Sequence, residues 1–125
     1  MNVSRTRQSY NGNPGSTPWR WNGHYEQFGT NHEMELVLVV DSTSVFGQGQ
    51  DDVGAFDVQG QCQGDNFNFV KQYRGMHAVH YHGTLENGRE KMKGNWGMQP
   101  FTNEGTFKIT TYSRPQYVAY ANPVM

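Results

Sequence analysis

Apolar or small residues alternate with polar ones, at a period of two, along most of this chain. The alternation is clearest over residues 19–25 and 56–62. A period of two places successive side chains on opposite faces of a β-strand. Turn signals, such as the Asp-Ser-Thr run at residues 41–43 and the Asn-Gly pair at residues 87–88, leave no room for the crossover helices that parallel strands require. The chain is therefore expected to fold as consecutive antiparallel hairpins.

The composition of the 125 residues excludes several other classes of protein. The chain has 11 Val and 9 Thr, which favour strands, but only 3 Leu and 1 Ile, which are too few for a helix bundle. A net charge of −1 does not fit a disordered chain, and 7 Phe, 7 Tyr and 3 Trp supply apolar surface to bury. The same near-neutral charge argues against nucleic-acid binding, which needs a broad basic surface. No apolar run approaches the roughly 18 residues that span a bilayer.

Eight short strands fit between residues 19 and 111. Eight strands in a meander close most naturally into a barrel, because closure leaves no exposed sheet edge. We therefore predict an all-β fold, an eight-stranded antiparallel up-and-down (meander) β-barrel over residues 19–111, with a flexible polar arm at 1–18 and a C-terminal tail at 112–125. Six glycines share the inward phase: Gly23, Gly47, Gly49, Gly60, Gly83 and Gly94. They either relieve crowding around the aromatic residues or leave volume for a ligand.

Two segments rich in aromatic residues and glycine carry a resemblance to a known group of barrels. Residues 19–25 read Trp-Arg-Trp-Asn-Gly-His-Tyr, and residues 94–97 read Gly-Asn-Trp-Gly. They resemble the strand starts of avidin-like barrels, which belong to the calycin group together with the lipocalins and the fatty-acid-binding proteins. The resemblance is architectural, covers roughly residues 19–111 and carries over no biotin-binding motif. It implies a small hydrophobic or amphipathic ligand inside the barrel.

Several polar side chains share the inward phase with ordinary core residues, although an unpaired lysine inside a barrel is costly. Lys71 has a candidate partner in Asp51, which lies at a strand end. Polar groups that converge beside aromatic rings are typical of a small-molecule site. The predicted ligand-binding residues are Trp21, Tyr25, Asp51, Lys71, Tyr73, His77, Tyr81 and Trp96. Two alternatives stay open: an internal hydrogen-bond network that only fixes strand register, and a bulge that turns Lys71 outward.

Enzymatic interpretations rest on two further groups of residues. The pattern His80-x-His82-x-x-x-Glu86 resembles the metal-binding core of the cupins and would place a divalent metal on these side chains. That core requires another histidine on a later strand, but none follows His82, and both histidines fall on the solvent-facing phase. The other enzymatic alternative is an acid–base site formed by Lys71, His77 and Tyr81. The sequence therefore assigns no catalytic residue, no metal and no cofactor.

The sequence favours a non-enzymatic module that binds a hydrophobic or amphipathic small molecule in its lumen. Val37, Val39 and Val70, with Ala78 in phase, indicate an apolar outer wall that packs against another copy, giving a homo-oligomer (dimer or tetramer). A structural or protein-interaction domain that oligomerises through this wall is the remaining alternative. No signal peptide is visible, and the single cysteine, Cys62, cannot form an intramolecular disulfide. A cytoplasmic protein without nucleic-acid or membrane partners is therefore expected.

Overall fold

The computed structural model of the protein describes residues 17–111 and confirms the predicted all-β fold. Eight antiparallel strands follow one another around a closed barrel, and the last pairs with the first. The strands are β1 (Trp19–Gln27), β2 (Thr30–Val40), β3 (Ser44–Asp51), β4 (Ala55–Gln63), β5 (Asn66–Tyr73), β6 (Ala78–Glu86), β7 (Lys91–Gly97) and β8 (Gly105–Thr111). The predicted tail at 112–125, and all but two residues of the predicted arm at 1–18, lie outside the described residues. Between residues 17 and 111 there is no helix long and apolar enough to cross a membrane.

The period-two alternation decides which side chains are buried. On β5 the buried positions are Phe67, Phe69, Lys71 and Tyr73. Inward side chains from all eight strands join them in one core, in which aromatic rings pack closely. The rings of Phe69 and Tyr81 are stacked with their centroids 4.9 Å apart, and Phe107 lies edge-on to Tyr81 at 4.8 Å. Much of the barrel interior is therefore filled by side chains.

The inward glycines mark places where neighbouring strand backbones come close together. Gly83 and Gly94 face each other across β6 and β7. A Cβ atom on Gly83 would lie 1.9 Å from the carbonyl oxygen of Lys93, and one on Gly94 would lie 2.0 Å from that of His82. A backbone oxygen lies within 2.4 Å of the corresponding position at Gly23, Gly47, Gly49 and Gly60. These glycines therefore permit the close approach of the strands rather than leaving volume for a ligand.

The two ends of the barrel carry different loops. The β1–β2, β3–β4, β5–β6 and β7–β8 connections lie at one end, the rim; the other connections, with residues 17 and 111, lie at the opposite end, the base. At the base, the expected hairpin turn has four residues, 87–90, and its first three, Asn87, Gly88 and Arg89, have φ values of 53°, 65° and 70°. At the rim, the β1–β2 turn has the same left-handed backbone but places Phe28 (φ 54°) before Gly29 (φ 78°). A bulky residue in this conformation costs on the order of 1–3 kcal/mol, so this turn is strained.

The predicted outer apolar wall is not one continuous surface. Val37 and Val70 are half-buried on the outer face, but β3 and β4 separate the strands that carry them. Ala78 is half-buried at the start of β6, beside the strand of Val70. The expectation that Val39 faces solvent is wrong, because this residue is 0% exposed although it lies on the outer phase. The homo-oligomer stays a prediction, but the valines that suggested it do not form one contiguous exposed row.

Candidate functional site

A buried ion pair lies in the barrel interior, near the rim. The Lys71 ammonium on β5 donates a hydrogen bond to Oδ2 of Asp51, at the end of β3, over 2.7 Å. Solvent reaches only 1% of the lysine side chain and 0% of the aspartate side chain. The pairing suggested by the sequence is therefore present, and the alternative in which a bulge turns Lys71 outward is wrong.

The Lys71 ammonium contacts three side chains inside the protein. Besides Asp51, its Nζ donates to the Tyr81 hydroxyl at 3.0 Å and contacts Sδ of Met34 at 3.8 Å. An ammonium group has three protons and no acceptor site. All three therefore have a partner among the surrounding side chains, the thioether being the weakest.

The Asp51 carboxylate is satisfied just as fully. Its Oδ2 accepts a second hydrogen bond from the Tyr73 hydroxyl at 2.5 Å. Its Oδ1 accepts the backbone N–H groups of Val53 at 2.9 Å and Gly54 at 3.4 Å. Together with Lys71, this carboxylate links β3, β5 and β6 to the β3–β4 turn.

Aromatic rings surround the buried ammonium, and burial shifts the ionisation of the groups around it. Four ring centroids lie 4.4 to 5.3 Å from the lysine Nζ: those of Tyr25, Phe56, Tyr73 and Tyr81. Rings at this range attract a cation. Burial nevertheless lowers the pKa of Lys71, because the hydrogen bond and charge of Asp51 only partly offset the lost hydration. Burial raises the pKa of Tyr81 well above 10.0, and it raises that of Tyr73 with help from the hydrogen bond to Asp51.

Tyr25, His32 and Asp52 close the interior at the rim. The His32 ring stacks on the Tyr25 ring with the centroids 4.9 Å apart, and His32 Nδ1 lies 2.9 Å from Asp52 Oδ2. The Tyr25 hydroxyl donates to Asp52 Oδ1 at 3.4 Å. The hydrogen bond with His32 holds the pKa of Asp52 below its usual value, and burial, helped by the Asp51 charge, raises that of Tyr25 to about 12. The aromatic ring of Tyr25 thus separates the exposed His32–Asp52 pair from the buried lysine.

Sequence reasoning missed His32 and Asp52. The polar stretch at residues 30–33 shows no apolar alternation, so the sequence pattern began the strand at Met34, four residues later than β2 begins. The available signal was phase, since His32 lies two positions before Met34 and therefore on the same face. Asp52 gave no such signal, because it lies in a turn whose geometry the alternation does not describe.

The structure divides the predicted ligand-binding residues into separate groups. Five of them come together around the ion pair: Tyr25, Asp51, Lys71, Tyr73 and Tyr81. Trp96 is buried beside them, with its ring edge-on to Tyr25 at 6.1 Å and its indole N–H bonded to the Glu26 carbonyl at 2.9 Å. The placement of His77 inside the barrel is wrong, because β6 begins one residue later and His77 is exposed in the rim turn. Trp21 is buried but lies towards the base, beside Thr111 on the neighbouring strand.

A cavity of about 210 Å³ opens beside Trp21 at the base. It lies between the inner wall of β1, β2 and β8 and the β6–β7 turn, and its lining residues are Trp19, Trp21, Leu38, Val40, Gly88, Arg89, Glu90 and Thr111. The Arg89 guanidinium is held there by hydrogen bonds to the backbone carbonyls of Gly64 at 3.0 Å and Asp41 at 2.9 Å. The buried indole N–H of Trp21 has no hydrogen-bond partner within the described part of the chain. A buried donor without a partner lowers the free energy of unfolding by about 1–3 kcal/mol.

A second concavity, of about 680 Å³, is a groove on the outer wall across β6, β7, β8 and β1. Charged or titratable residues of both signs line it, namely His24, Glu26, Lys93 and Lys108. Lys93 is already paired with Glu86 at 3.2 Å. Small-molecule sites are lined mostly by hydrophobic and aromatic side chains, so the base cavity, with two Trp, one Leu and one Val in its lining, matches that description better than this groove.

The three candidate metal ligands do not form a site. His80, His82 and Glu86 lie in a row along β6, with Glu86 at the base end of the strand. The His82 ring packs instead against the rim residue Phe101, with the centroids 5.4 Å apart. Over residues 17–111, no three His, Cys, Asp or Glu side chains are placed so that they could hold one metal ion.

Comparisons of the chain with models of protein families, with curated proteins and with solved structures found no match. The likeness to calycin barrels is therefore one of architecture, namely eight antiparallel strands in meander order that close into a barrel.

Proposed function

We propose that the protein is a non-enzymatic binding module that holds a small hydrophobic or amphipathic molecule in the base cavity of its barrel. The observation that carries the proposal is the cavity of about 210 Å³ walled by Trp19, Trp21, Leu38 and Val40. That volume lies between the about 150 Å³ of a cavity that binds benzene and the lower end, about 300 Å³, of pockets for drug-sized ligands, so it suits a ligand built on one ring rather than a long acyl chain. An apolar wall with a few polar groups is the usual make-up of such a site.

The Lys71–Asp51 pair is buried and fully hydrogen-bonded, which favours the base cavity over the ion pair as the location of the ligand. The ammonium has partners for its three protons, and Tyr25 and His32 lie between it and solvent. A ligand at the lysine would have to break a buried ion pair, which costs several kcal/mol. The pair is therefore better explained as the internal network that fixes strand register, one of the alternatives that the sequence left open.

The polar groups of the base cavity indicate which ligands fit. The indole N–H of the lining residue Trp21 is buried and has no partner within residues 17–111, so a ligand acceptor would satisfy it once a small rotation of the ring turned the N–H towards the cavity. The positive charge of Arg89 is balanced by Glu90 on the same turn, so the lining carries no net charge. A neutral ring compound with one hydrogen-bond acceptor therefore fits better than an anion.

Acetophenone, a neutral ring with one carbonyl acceptor, is the probe for this proposal. Calorimetric titration of the full chain is expected to show saturable binding, with a rise in the thermal unfolding midpoint. Ethylbenzene, which has a similar shape but no acceptor, is expected to bind more weakly. The substitution Val40→Phe fills the cavity and should weaken binding at least tenfold, whereas Val37→Phe, on the outer face of the same strand, should not.

The proposal fails if acetophenone shows no saturable binding to the wild-type chain. It also fails if Val40→Phe binds as tightly as wild type while its unfolding transition shows that it is folded. Loss of binding in Val37→Phe would move the site to the outer wall and would equally contradict the proposal.

A further inference from the structure

Four polar side chains form one row across the groove on the outer wall. Thr84 on β6 lies opposite Lys93 on β7. Lys93 in turn lies opposite Lys108 on β8, which lies opposite His24 on β1. All four residues line the groove of about 680 Å³, and at about 4.8 Å between neighbouring strands the row spans roughly 14 Å. Like charges directly opposite each other destabilise a sheet, so the two lysines are not explained by the stability of the barrel.

The side chains of this row make few contacts with the rest of the protein. Those of Thr84, Lys108 and His24 have no hydrogen-bond or ion-pair partner among residues 17–111. Lys93 pairs with Glu86 at 3.2 Å, but 51% and 36% of these two side chains are exposed, and exposed pairs are weak. The hydrogen-bonding groups of the row are therefore available to a ligand.

Acceptors lie beside these donors. Glu26 also lines the groove, and its Oε1 accepts from the Thr106 hydroxyl at 3.2 Å, so that its Oε2 is open to a ligand. The side-chain amide of Asn31, directly opposite Glu26 on β2, can both donate and accept. The charges of the two lysines are balanced by Glu26 and by the Glu86 carboxylate. A neutral ligand rich in hydroxyl groups, each of which donates and accepts, therefore suits the groove better than an anion.

Two exposed phenylalanines border the groove, one on each side. Phe28 directly precedes the lining residue Gly29 and is 95% exposed. Phe101 is 67% exposed and packs against His82, which directly precedes the lining residue Gly83, with the ring centroids 5.4 Å apart. Both phenylalanines have a left-handed backbone, with φ values of 54° and 59°, and strain of this kind is characteristic of functional loops. The negative face of such a ring attracts the slightly positive hydrogens of C–H groups.

The combination of hydroxyl-binding side chains and exposed aromatic rings matches the chemistry of a sugar. A glucose-type ring carries its hydroxyl groups around the edge and C–H groups on both faces. A protein partner fits less well, because interface cores are depleted in Lys and Glu, and a nucleic acid requires a strongly basic surface. The groove volume lies within the about 300–1,000 Å³ that is usual for ligand sites. We propose that this groove binds a neutral oligosaccharide of glucose-type rings, with the polar row bonded to its hydroxyl groups and Phe28 and Phe101 in contact with its ring faces.

The test is calorimetric titration of the full chain with three neutral tetrasaccharides: cellotetraose, maltotetraose and chitotetraose. At least one of them is expected to bind in a saturable way. The double substitution His24→Ala and Lys108→Ala should weaken that binding about tenfold or more, because it removes two hydrogen-bonding side chains. The double substitution Phe28→Asn and Phe101→Asn should also weaken it about tenfold, because the stacking surfaces are lost. The thermal unfolding midpoint of the second variant should stay the same or rise, because Asn tolerates a left-handed backbone better than Phe.

Matched controls lie outside the groove. Gln59→Ala with Gln61→Ala alters two exposed polar side chains of β4, four strands away from β8. Met76→Asn alters an exposed apolar side chain in another rim turn. Both controls are expected to bind the tetrasaccharide as wild type does.

The absence of saturable binding for all three tetrasaccharides would overturn the proposal. Wild-type affinity in either groove variant, or loss of affinity in a control that remains folded, would also overturn it. A heparin tetrasaccharide that binds where the neutral sugars do not, with an affinity that falls steeply as salt is added, would identify an anion site instead. The groove lies on the outer wall and the ligand cavity lies at the base, so failure of one proposal does not decide the other.

Discussion

Substitution of Asp51 by Asn is the sharpest perturbation of the barrel interior. The change keeps the size of the side chain and the Oδ1 acceptor that serves the backbone of the β3–β4 turn, but it removes the negative charge. The Lys71 ammonium, with 1% of its side chain exposed, then loses the one charged partner that residues 17–111 place at hydrogen-bond distance. Removal of one member of a buried ion pair costs about 3–5 kcal/mol of unfolding free energy. Urea unfolding measures this loss, and at an m-value of about 1 kcal/mol per molar the midpoint should fall by roughly 3 M or more.

A second substitution, Lys71→Met in the Asp51→Asn background, keeps this test informative if the single variant is barely folded. The double variant removes the unpaired charge, so it should be more stable than Asp51→Asn alone, because apolar replacement of a whole buried pair is often neutral or stabilising. Comparison with Lys71→Met alone completes the double-mutant cycle and gives the coupling free energy between the two positions.

The pH dependence of the single variant provides an internal check on the cause of its instability. The pKa of Lys71 is already lowered by burial, and the contributions of Asp51 that raise it are lost in the variant. Between the lowered folded pKa and the ordinary unfolded value the unfolded chain binds more protons, so stability should rise with pH in this interval. A loss of under about 1 kcal/mol in Asp51→Asn, with no recovery in the double variant, would refute the claim that this pair holds the interior together.

Two other predictions concern alkaline pH and strand packing. Burial raises the pKa of Tyr25 to about 12 and also raises those of Tyr73 and Tyr81, so the stability these groups contribute is complete below pH 10.0 and is lost as pH rises through their folded values. Tyrosinate absorbance from these three residues should therefore appear at the same pH at which the β-sheet circular dichroism is lost. Ionisation of all 7 tyrosines near pH 10.0 in a barrel that stays folded would contradict this prediction. Gly94→Ala should cost about 3 kcal/mol or more in urea unfolding, because its Cβ would lie 2.0 Å from a backbone oxygen. Gly64→Ala, in open space with a φ of +63°, should cost only about 1–2 kcal/mol, and equal losses in the two variants would show that backbone crowding is not the cause.

Much of the fold could be predicted because alternation and turn residues act locally. The inward phase of residues 67–73 and the turn at residues 87–88 follow from neighbouring positions in the chain. Closure into a barrel was favoured for a different reason, since an open meander of eight strands would leave two exposed sheet edges. The same phase places Lys71 inside the barrel and Asp51 at a strand end, which made Asp51 the candidate partner, and the structure shows this pair.

The features that the sequence did not predict depend on three-dimensional register or on loops. His77 was placed inside because the alternation was extended into residues that form the rim turn. The contact between His32 and Asp52 joins two elements 20 residues apart, and no local pattern encodes it. The base cavity likewise requires the inner wall of β1 to meet the β6–β7 turn, and strand phase alone does not distinguish a packed end of the barrel from an open one.

The site of ligand binding can be tested most directly by methyl NMR during a titration with acetophenone. Leu38 and Val40 line the base cavity, whereas the Sδ of Met34 lies 3.8 Å from the Lys71 ammonium near the rim. A ligand in the base cavity should shift the methyl signals of Leu38 and Val40 in a saturable way and leave the methyl signal of Met34 in place. Saturable shifts at Met34, with Leu38 and Val40 unchanged, would place the ligand at the ion pair and contradict the proposed function.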